Sequence, residues 1–214
     1  MEVREALYRR RSVRAFTAAA VSKKTLLQLV DAAIQAPSAR NMQPWQFIVV
    51  TGKARERLAQ RLVRAYEEEL VAGQVPPTPE LPEPYQSRVR QFGEALQPFS
   101  VQDPTFELMR GSLNFYGAPA VILLALDPHL SSDRLFDVGA GAQNLLLLAH
   151  SQGLGTCVIG IVLRYRELIR EELQLPESLN LVMTVAVGYP NPAHPLAGFS
   201  SGRQDAAEFL TWIE

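Results

Sequence analysis

The sequence predicts one domain of mixed helices and strands, in either the α+β or the α/β class. Apolar residues spaced along one helical face occur within residues 26–34, whereas residues 47–50 and 120–125 are continuous apolar runs typical of buried strands. The chain has 214 residues, which favours one domain over two because domains average roughly 150 residues. About three strong strands and about six helices are expected.

Signals for the ends of elements divide the first part of the chain. Ser22 is a suitable N-cap for the helix that carries the apolar positions 26–34, and Pro37 marks the end of that helix. The strand at residues 47–50 follows, and a helix is then expected over about residues 54–70, with its Arg and Glu side chains in solvent.

A proline-rich stretch interrupts the pattern. Regular structure is not expected in residues 73–84, because proline lacks a backbone donor. The prolines of this stretch are Pro76, Pro77, Pro79, Pro82 and Pro84. Since apolar patterning resumes on both sides, residues 71–105 are interpreted as a surface excursion of a single domain spanning residues 1–214. Short helices are expected near residues 85–96 and 104–112.

The second half of the chain supplies two central strands. Residues 120–125 are apolar throughout, as in a strand that is buried on both faces, and residues 181–187 are expected to form a second central strand. Between them, Asp133 is expected to cap a long helix that ends near residue 151, with Gly153 just beyond its end. A further helix is expected over residues 165–174.

Composition excludes several classes of protein. With 21 Lys and Arg against 22 Asp and Glu, the net charge of −1 creates no basic field for nucleic acid. The N-terminus is charged from the start and lacks the apolar region of a signal peptide. No apolar run approaches the roughly 18 residues of a membrane span. The single cysteine leaves no internal disulfide, so a cytoplasmic protein without nucleic-acid or membrane partners is expected.

The chain lacks the common catalytic motifs. Residues 139–144 begin like the dinucleotide-binding pattern G-x-G-x-x-G but end in Asn and lie inside a helical pattern. Residues 155–160 have the glycine spacing of a P-loop, but Ile161 stands where Lys is required. The three histidines have no metal-ligand spacing, so no metal site is expected. Cys157 is interpreted as a small buried apolar residue rather than a nucleophile.

Three segments are candidates for ligand binding. Residues 10–14 contain three Arg and one Ser, the side chains that bind phosphate, although a solvated basic helix end is the alternative. Residues 36–45 offer Ser, Asn and Gln to a heteroaromatic ring or a sugar chain, or form a rigid turn with Trp45 in the core. Residues 153–160 carry glycines near both ends, which permit close approach of a ligand or form a helix cap and a tight connection.

These three segments, in this order, resemble the flavin-dependent nitroreductase family. Residues 114–121, residues 143–145 and the distal pair of motifs at 188–190 and 201–203 resemble it as well, so the likeness covers nearly the whole chain. The resemblance implies an α+β nitroreductase-like fold, with a central mixed or antiparallel sheet flanked by helices. It also implies an interlocked homodimer with two FMN molecules in clefts at the interface.

The resemblance assigns individual residues to FMN. Arg10, Ser12 and Arg14 match contacts to the phosphate, the ribityl chain and the pyrimidine edge, and Arg203 matches a second phosphate ligand. All candidate contacts from this side are Arg10, Arg11, Ser12, Arg14, Asn114 and Arg203, of which Arg11 is at a variable position and Asn114 is a further candidate for the pyrimidine edge. The loop contributed by a partner subunit is matched by Pro37, Ser38, Ala39 and Asn41, and the backbone beside the flavin ring by Ile159 and Gly160.

These assignments agree with the chemistry of the residues. Converging Arg side chains compensate a phosphate dianion, and a cation such as Arg14 at the flavin's N1–O2 edge stabilises the reduced flavin. The implied reaction is ping-pong: NADPH or NADH reduces FMN, and a nitroaromatic, a quinone or another electron-poor small molecule takes the electrons. No catalytic side chain is expected, because FMN carries the chemistry.

Two questions remain open at the level of sequence. The aromatic residues of the excursion either line the substrate pocket or pin the excursion to the body; they are Tyr85, Phe92, Phe99 and Phe106. The alternative functions are a specialised flavin enzyme of the same superfamily, such as a reductive dehalogenase or a flavin-fragmenting enzyme, and a non-catalytic domain that binds an anion or another ligand.

Overall fold

A four-stranded antiparallel sheet organises the structure, a computed structural model that describes residues 1–76, 80–103 and 106–214. The strands are β1 (Trp45–Thr51), β2 (Ala120–Leu126), β3 (Gly155–Ile159) and β4 (Asn180–Gly188). They lie in the order β1-β2-β4-β3, so β2 and β4 are central and β3 is an edge. Every pair of neighbours is antiparallel.

Helices cover both faces of this sheet. Those within the described ranges are α1 (Val3–Arg9), α2 (Lys23–Ala33), α3 (Gly52–Val71), α4 (Glu83–Ser100), α5 (Leu108–Leu113), α6 (Leu135–Ser151) and α7 (Arg166–Leu173). Helices α2 and α6 pack together on one face, while α3 and α7 pack together on the other. Across the described ranges, no helix is both long enough and apolar enough to cross a bilayer.

Strand β2 lies at the centre of two apolar clusters. Its side chains alternate between them, because successive residues of a strand point to opposite faces. Val121 and Leu123 pack with α3 and α7, whereas Ile122 and Leu124 pack with α2 and α6. No residue of β2 is more than 2 % exposed. The prediction of a central strand at residues 120–125 is therefore confirmed.

Several predicted boundaries are also confirmed. The hydroxyl of Ser22 accepts a hydrogen bond from the Thr25 backbone N–H at 3.0 Å and caps α2. Gly153 follows α6 with a φ of +76°, the left-handed conformation that glycine adopts most readily after a helix. The predicted helix at residues 54–70 is α3, and the predicted strand at residues 181–187 is β4.

The cap predicted at Asp133 is wrong. Asp133 lies inside a 3₁₀ turn, Ser132–Arg134, and its carboxylate pairs with the guanidinium of Arg134 instead of capping α6. Helix α6 begins at Leu135 without a side-chain cap, because the preceding turn already satisfies part of its backbone.

The proline-rich stretch is shorter than predicted. Helix α4 begins at Glu83, so Pro84 lies in its first turn, where the missing N–H of proline has no helical partner to lose. Within the predicted helix at residues 104–112, α5 begins at Leu108. The predictions for Pro77, Pro79 and Pro104 lie outside the described residues.

Strand β3 was missed at the level of sequence. It contains five residues and begins with Gly155, where an added Cβ would lie 2.9 Å from the Cβ of Val13 and 3.0 Å from Pro190. Glycine is required here because the N-terminal segment around Val13 runs beside this strand in close contact. The segment at residues 153–160 is therefore neither a simple helix cap nor only a tight connection.

We expect Gly155→Ala to lower the free energy of unfolding by about 1–3 kcal/mol, because the new methyl group forces Val13 and its segment to shift. Urea unfolding followed by circular dichroism measures the change. Gly93→Ala is the control, since a Cβ at this exposed helical position meets nothing within 4 Å. Equal unfolding midpoints for wild type and Gly155→Ala would contradict the required close contact.

Candidate functional site

The basic segment at residues 10–14 extends the sheet beyond its edge strand. Ser12 forms a parallel bridge with Thr156 of β3, and the Val13 N–H donates to the Thr156 carbonyl at 2.9 Å. Further along, the Asn191 N–H donates to the Ala15 carbonyl at 3.0 Å. These hydrogen bonds hold the backbone of the segment in place, so the directions of its side chains are fixed as well. The alternative of a merely solvated helix end does not describe this segment.

Arg10 and Arg203 meet at one cavity although they lie at opposite ends of the chain. The cavity has a volume of about 360 Å³, and its lining includes Arg10, Arg11, Ser12, Ser201 and Arg203. Burial lowers the pKa of Arg10, and the positive charge of Arg203 lowers it further. Neither guanidinium forms an ion pair with a carboxylate of the described residues. Two cations without a counter-charge form a site that an anion would stabilise.

Backbone and hydroxyl oxygens orient Arg203. Its Nη1 donates to the Gly202 carbonyl at 2.8 Å, to the Ser201 hydroxyl at 3.2 Å and to the Ser201 carbonyl at 3.3 Å. Ser201 thus belongs to the site beside Arg203. The motif at residues 201–203 had indicated this segment, but no local pattern assigned a role to Ser201 itself.

Arg14 lies at the junction of two neighbouring cavities. One cavity, of about 330 Å³, also contacts Arg11 and Ser12, and the other, of about 260 Å³, also contacts Asn114 and Tyr116. The Nε atom of Arg14 is buried and has no hydrogen-bond partner among the described residues. Neighbouring cavities around Arg10, Arg14 and Asn114 therefore share lining residues: Arg11 and Ser12 join the first pair, and Arg14 and Ala15 join the second.

The guanidinium of Arg55 holds Asn114 in place. The Arg55 guanidinium donates to the backbone carbonyl of Asn114 and, at 3.3 Å, to its Oδ1. Burial lowers the pKa of Arg55. Because Oδ1 is already an acceptor for Arg55, the amide NH₂ of Asn114 is the group left to donate to a ligand. Phe115 and Tyr116, which follow, both have a φ of +53°, a strained conformation typical of functional loops.

Burial also raises the pKa of Tyr116, and the charge of Arg14 partly opposes this rise. The Tyr116 hydroxyl shares a hydrogen bond of 2.8 Å with the Ser112 hydroxyl. Tyr116 lines the cavity with Arg14 and Asn114. It was not identified from sequence as a site residue, because only its position beside Arg14 in space indicates a role.

The end of β3 presents an open backbone surface. Ile159 is buried, and its carbonyl accepts a hydrogen bond from the Thr184 hydroxyl. Gly160 is exposed, and a Cβ built on it would meet nothing within 4 Å. A flat ring can therefore approach the backbone at Gly160 without displacing a side chain.

The loop at residues 37–41 lies apart from the cavities of its own chain. The Ala39 N–H donates to the Asp137 carboxylate at 3.4 Å, and the Ser38 hydroxyl accepts from the Gln43 N–H at 3.0 Å. The cavities around Arg10 and Arg14 are lined by none of the predicted loop residues, which are Pro37, Ser38, Ala39 and Asn41. A single chain does not bring these two sets of predicted residues together.

The aromatic residues of the excursion pack mainly against the body. Phe92 and Phe99 each make an edge-to-face contact with Phe199, with ring centroids 5.6 Å apart. Phe106 packs against the same cluster and also lines the cavity beside Arg14, while Tyr85 is exposed. Three of the four rings, those of Phe92, Phe99 and Phe106, therefore pack the excursion against the rest of the domain.

Cys157 and Trp45 are buried, as predicted. Cys157 is 3 % exposed, and burial raises the pKa of its thiol, although the nearby Arg14 and Arg10 oppose that rise. A thiol with a raised pKa is a poor nucleophile. The described residues contain no group of three or more His, Cys, Asp or Glu side chains placed to hold a metal ion.

Comparison with known proteins agrees with this geometry. The model of the nitroreductase family matches residues 7–189. The chain belongs to the nitroreductase family. A 4-nitrobenzoate reductase of Nocardioides sp. (strain LMS-CY) is 31 % identical over 217 residues, covering 95 % of this chain and 87 % of the relative. Nitroreductase NfnB of Mycolicibacterium smegmatis is 33 % identical over 205 residues, covering 93 % of this chain and 87 % of the relative.

Solved nitroreductase structures share the whole fold. The FMN-dependent nitroreductase NfnB from Mycobacterium smegmatis, in complex with NADPH, aligns with a TM-score of 0.87 at 31 % identity and covers 99 % of this chain and 97 % of that one. The FMN- and NADPH-dependent NfnB from sphigopyxis sp. strain HMH aligns with a TM-score of 0.88 at 29 % identity over 100 % of both chains. The predicted α+β nitroreductase-like fold is confirmed.

The burial of Cys157 predicts slow reaction with thiol reagents. We expect a disulfide reagent to label the native nitroreductase more than about tenfold more slowly than the urea-unfolded chain, because the thiol is covered and its pKa is raised. Since Cys157 is the single cysteine of the sequence, the absorbance of the released thiolate reports this site alone. Equal rates in the two states would mean that Cys157 is accessible.

Proposed function

We propose that this nitroreductase is an FMN-dependent oxidoreductase that uses NAD(P)H to reduce nitroaromatic compounds and related electron-poor molecules. The observation that carries the proposal is the convergence of Arg10 and Arg203, without a counter-charge from the described residues, on one cavity. Relatives named nitrobenzoate reductase and FMN-dependent nitroreductase favour this chemistry over dehalogenation, flavin fragmentation and simple anion binding.

The residues of the site fit FMN at three points. Arg10 and Arg203 supply positive charge for a phosphate group. Arg14 supplies a cation with an unpartnered buried Nε, and the open backbone at Gly160 leaves room for a flat ring. The cavity at Arg10 and the cavity at Arg14 share Arg11 and Ser12, which supports a long ligand with a phosphate at one end, whereas Ile159 and Gly160 line neither cavity.

Each part of the chain then has a distinct task. Arg10, Ser12 and Arg203 hold the phosphate and the adjacent ribityl chain, with Arg11 at the rim of the same cavity. Arg14 and the amide NH₂ of Asn114, which line one cavity, would hold the pyrimidine edge. The backbone of Ile159 and Gly160 would receive the ring, and the Thr184 hydroxyl holds this backbone through the Ile159 carbonyl.

FMN, when bound, supplies two-electron transfer between a nicotinamide and an electron-poor substrate. The charge of Arg14 stabilises negative charge that develops at the pyrimidine edge, because a cation in a partly buried site interacts strongly with a nearby anion. Asn114 donates a hydrogen bond to the same edge. Cys157 takes no part, since its thiol is buried and protonated.

The site is completed by a second copy of the chain in this proposal. The loop at residues 37–41 lies away from the cavities of its own chain and is free to reach those of a partner. Large apolar side chains stand exposed near the loop and in the C-terminal tail, among them Phe136 at 76 % and Trp212 at 77 % exposure. Their burial in a homodimer would be strongly favourable.

The proposal extends to the domain organisation, the cellular location and the electron acceptor. We place the single domain at residues 1–214 and its excursion at residues 71–105 beside the substrate cleft, because Phe106, which directly follows the excursion, lines the cavity with Arg14. A cytoplasmic location is supported by the single, reduced and buried cysteine. The electron acceptor is a small molecule, in keeping with relatives named 4-nitrobenzoate reductase.

Removal of Arg203 is expected to weaken FMN binding. Arg203→Ala deletes a charge-assisted hydrogen bond to the phosphate, a loss of about 1.5–3 kcal/mol, or roughly 10- to 150-fold in the dissociation constant. Flavin fluorescence titration of the apoprotein measures this constant. Arg9→Ala is the matched control, because Arg9 is exposed and pairs with Glu5 at 3.2 Å. An unchanged dissociation constant in Arg203→Ala would remove this residue from the site.

Complementation between chains tests the shared site. Arg203→Ala damages the basic side of a site, and Asn41→Ala damages the loop side, so each homodimer has only weakened sites. In a mixed dimer of the two variants, one site carries both changes and the other carries neither. We expect one FMN of wild-type affinity per mixed dimer. Failure to recover a tight site, or a monomeric mass of 23.7 kDa by light scattering with FMN bound, would contradict the shared site.

A further inference from the structure

Arg14 is held by aromatic faces instead of carboxylates. The centre of its guanidinium lies 5.3 Å from the ring centroid of Phe92 and 5.5 Å from that of Phe199. Both distances are within the range of cation–π attraction. Its Nη1 donates to the Ser12 carbonyl at a long 3.4 Å, and its guanidinium also lies within reach of the Tyr116 hydroxyl.

The two rings form a rigid pair. Phe199 is 3 % exposed and meets Phe92 edge-to-face, at an interplanar angle of 76°. Phe99 supports Phe199 from another side with a similar contact, at 67°. Phe199 follows the 3₁₀ turn Pro195–Gly198, and Phe92 comes from α4 in the excursion. Two separate parts of the chain thus hold one side chain.

This arrangement leaves the charge of Arg14 available. An arginine held by a carboxylate would have its charge neutralised, whereas an aromatic face attracts the guanidinium without cancelling it. None of the ion pairs among the described residues involves Arg14, and its buried Nε has no partner there. The rings therefore restrict where the guanidinium lies, and its positive charge and its Nε donor have no matching partner among the described residues.

We propose that Phe92 of α4 is a positioning residue for Arg14, and through Arg14 sets how strongly the protein prefers reduced over oxidised FMN. This inference rests on the proposed function, because it requires FMN beside Arg14. It gives the excursion a second task, since the helix that lies at the substrate cleft also fixes the cation at the cofactor. Phe92 acts through Arg14 and needs no contact with substrate or cofactor.

A comparison of Phe92→Leu with Phe99→Leu separates positioning from packing. Both changes remove a ring from the same helix and the same apolar cluster, but only Phe92 lies against Arg14. The readout is the ratio of the dissociation constants of oxidised and reduced FMN, obtained from the midpoint potential of the holoenzyme. We expect Phe92→Leu to lower this ratio roughly 2- to 30-fold, the range of one cation–π contact. Phe99→Leu should change it less than about twofold.

A double-mutant cycle with Arg14→Gln identifies the route of the effect. If Phe92 acts through Arg14, Phe92→Leu has no further effect on the ratio once Arg14 is replaced. Phe92→Tyr keeps the ring and should retain the wild-type ratio. Arg14→Lys keeps the charge but loses the flat guanidinium that both rings contact, so it should lower the ratio even if Phe92→Leu fails to fold.

The outcomes separate the inference from the proposed function. Wild-type protein that binds no FMN would overturn both. FMN binding together with equal effects of Phe92→Leu and Phe99→Leu would overturn the inference alone, as would an undiminished effect of Phe92→Leu in the Arg14→Gln background. If Phe92→Leu fails to fold, a wild-type ratio of the two dissociation constants in Arg14→Lys would overturn the inference as well. Loss of the Phe92 effect in Arg14→Gln supports it.

Discussion

The candidate site depends on a short backbone pairing between the N-terminal segment and the edge of the sheet. Ser12 bridges Thr156 of β3, and the Val13 N–H donates to the Thr156 carbonyl. In an extended segment alternate side chains share a face. Val13 therefore packs against Gly155, while Arg10, Ser12 and Arg14 follow one another at intervals of two residues. An edge strand is normally an exposed template for pairing, and here the segment that carries the basic groups occupies it.

Electrostatics explain why such a site benefits from its ligand. Burial and the neighbouring Arg203 both lower the pKa of Arg10, so the cofactor-free protein holds two cations together at a cost. Arg14 adds a third guanidinium farther along the same surface, held by two aromatic rings. A bound phosphate removes the repulsion at Arg10. Any ligand that binds only the folded state also stabilises it, so the same charges link cofactor binding to stability.

The sequence predicted those helices and strands whose signal lies within their own residues, such as a helix cap or an unbroken apolar run. Strand β2 is apolar throughout, and Ser22 caps α2 as its position indicates. Strand β3 was missed because five residues that begin with glycine carry little pattern of their own, and their pairing with β4 is what makes them a strand. Asp133 failed as a cap because a neighbouring arginine competed for its carboxylate.

The residues of the candidate site likewise fall into those that the sequence indicated and those whose contacts only the structure shows. The resemblance indicated Arg10, Ser12, Arg14 and Arg203, and the structure places Arg10, Ser12 and Arg203 at one cavity, with Arg14 at the next. The support of Asn114 by Arg55, and of Arg14 by Phe92 and Phe199, joins residues far apart in the chain. No spacing rule contains such contacts. The loop at residues 37–41 lines neither cavity of its own chain.

The central claim is that this surface holds FMN for electron transfer from a nicotinamide. The most direct measurement is the visible absorption spectrum of the protein purified with FMN, recorded anaerobically before and after addition of NADPH or NADH and then of 4-nitrobenzoate. We expect a flavin spectrum that is bleached by one of the two donors and restored by the nitro compound. A protein that stays colourless after incubation with FMN, or a bound flavin that neither donor bleaches, would contradict it.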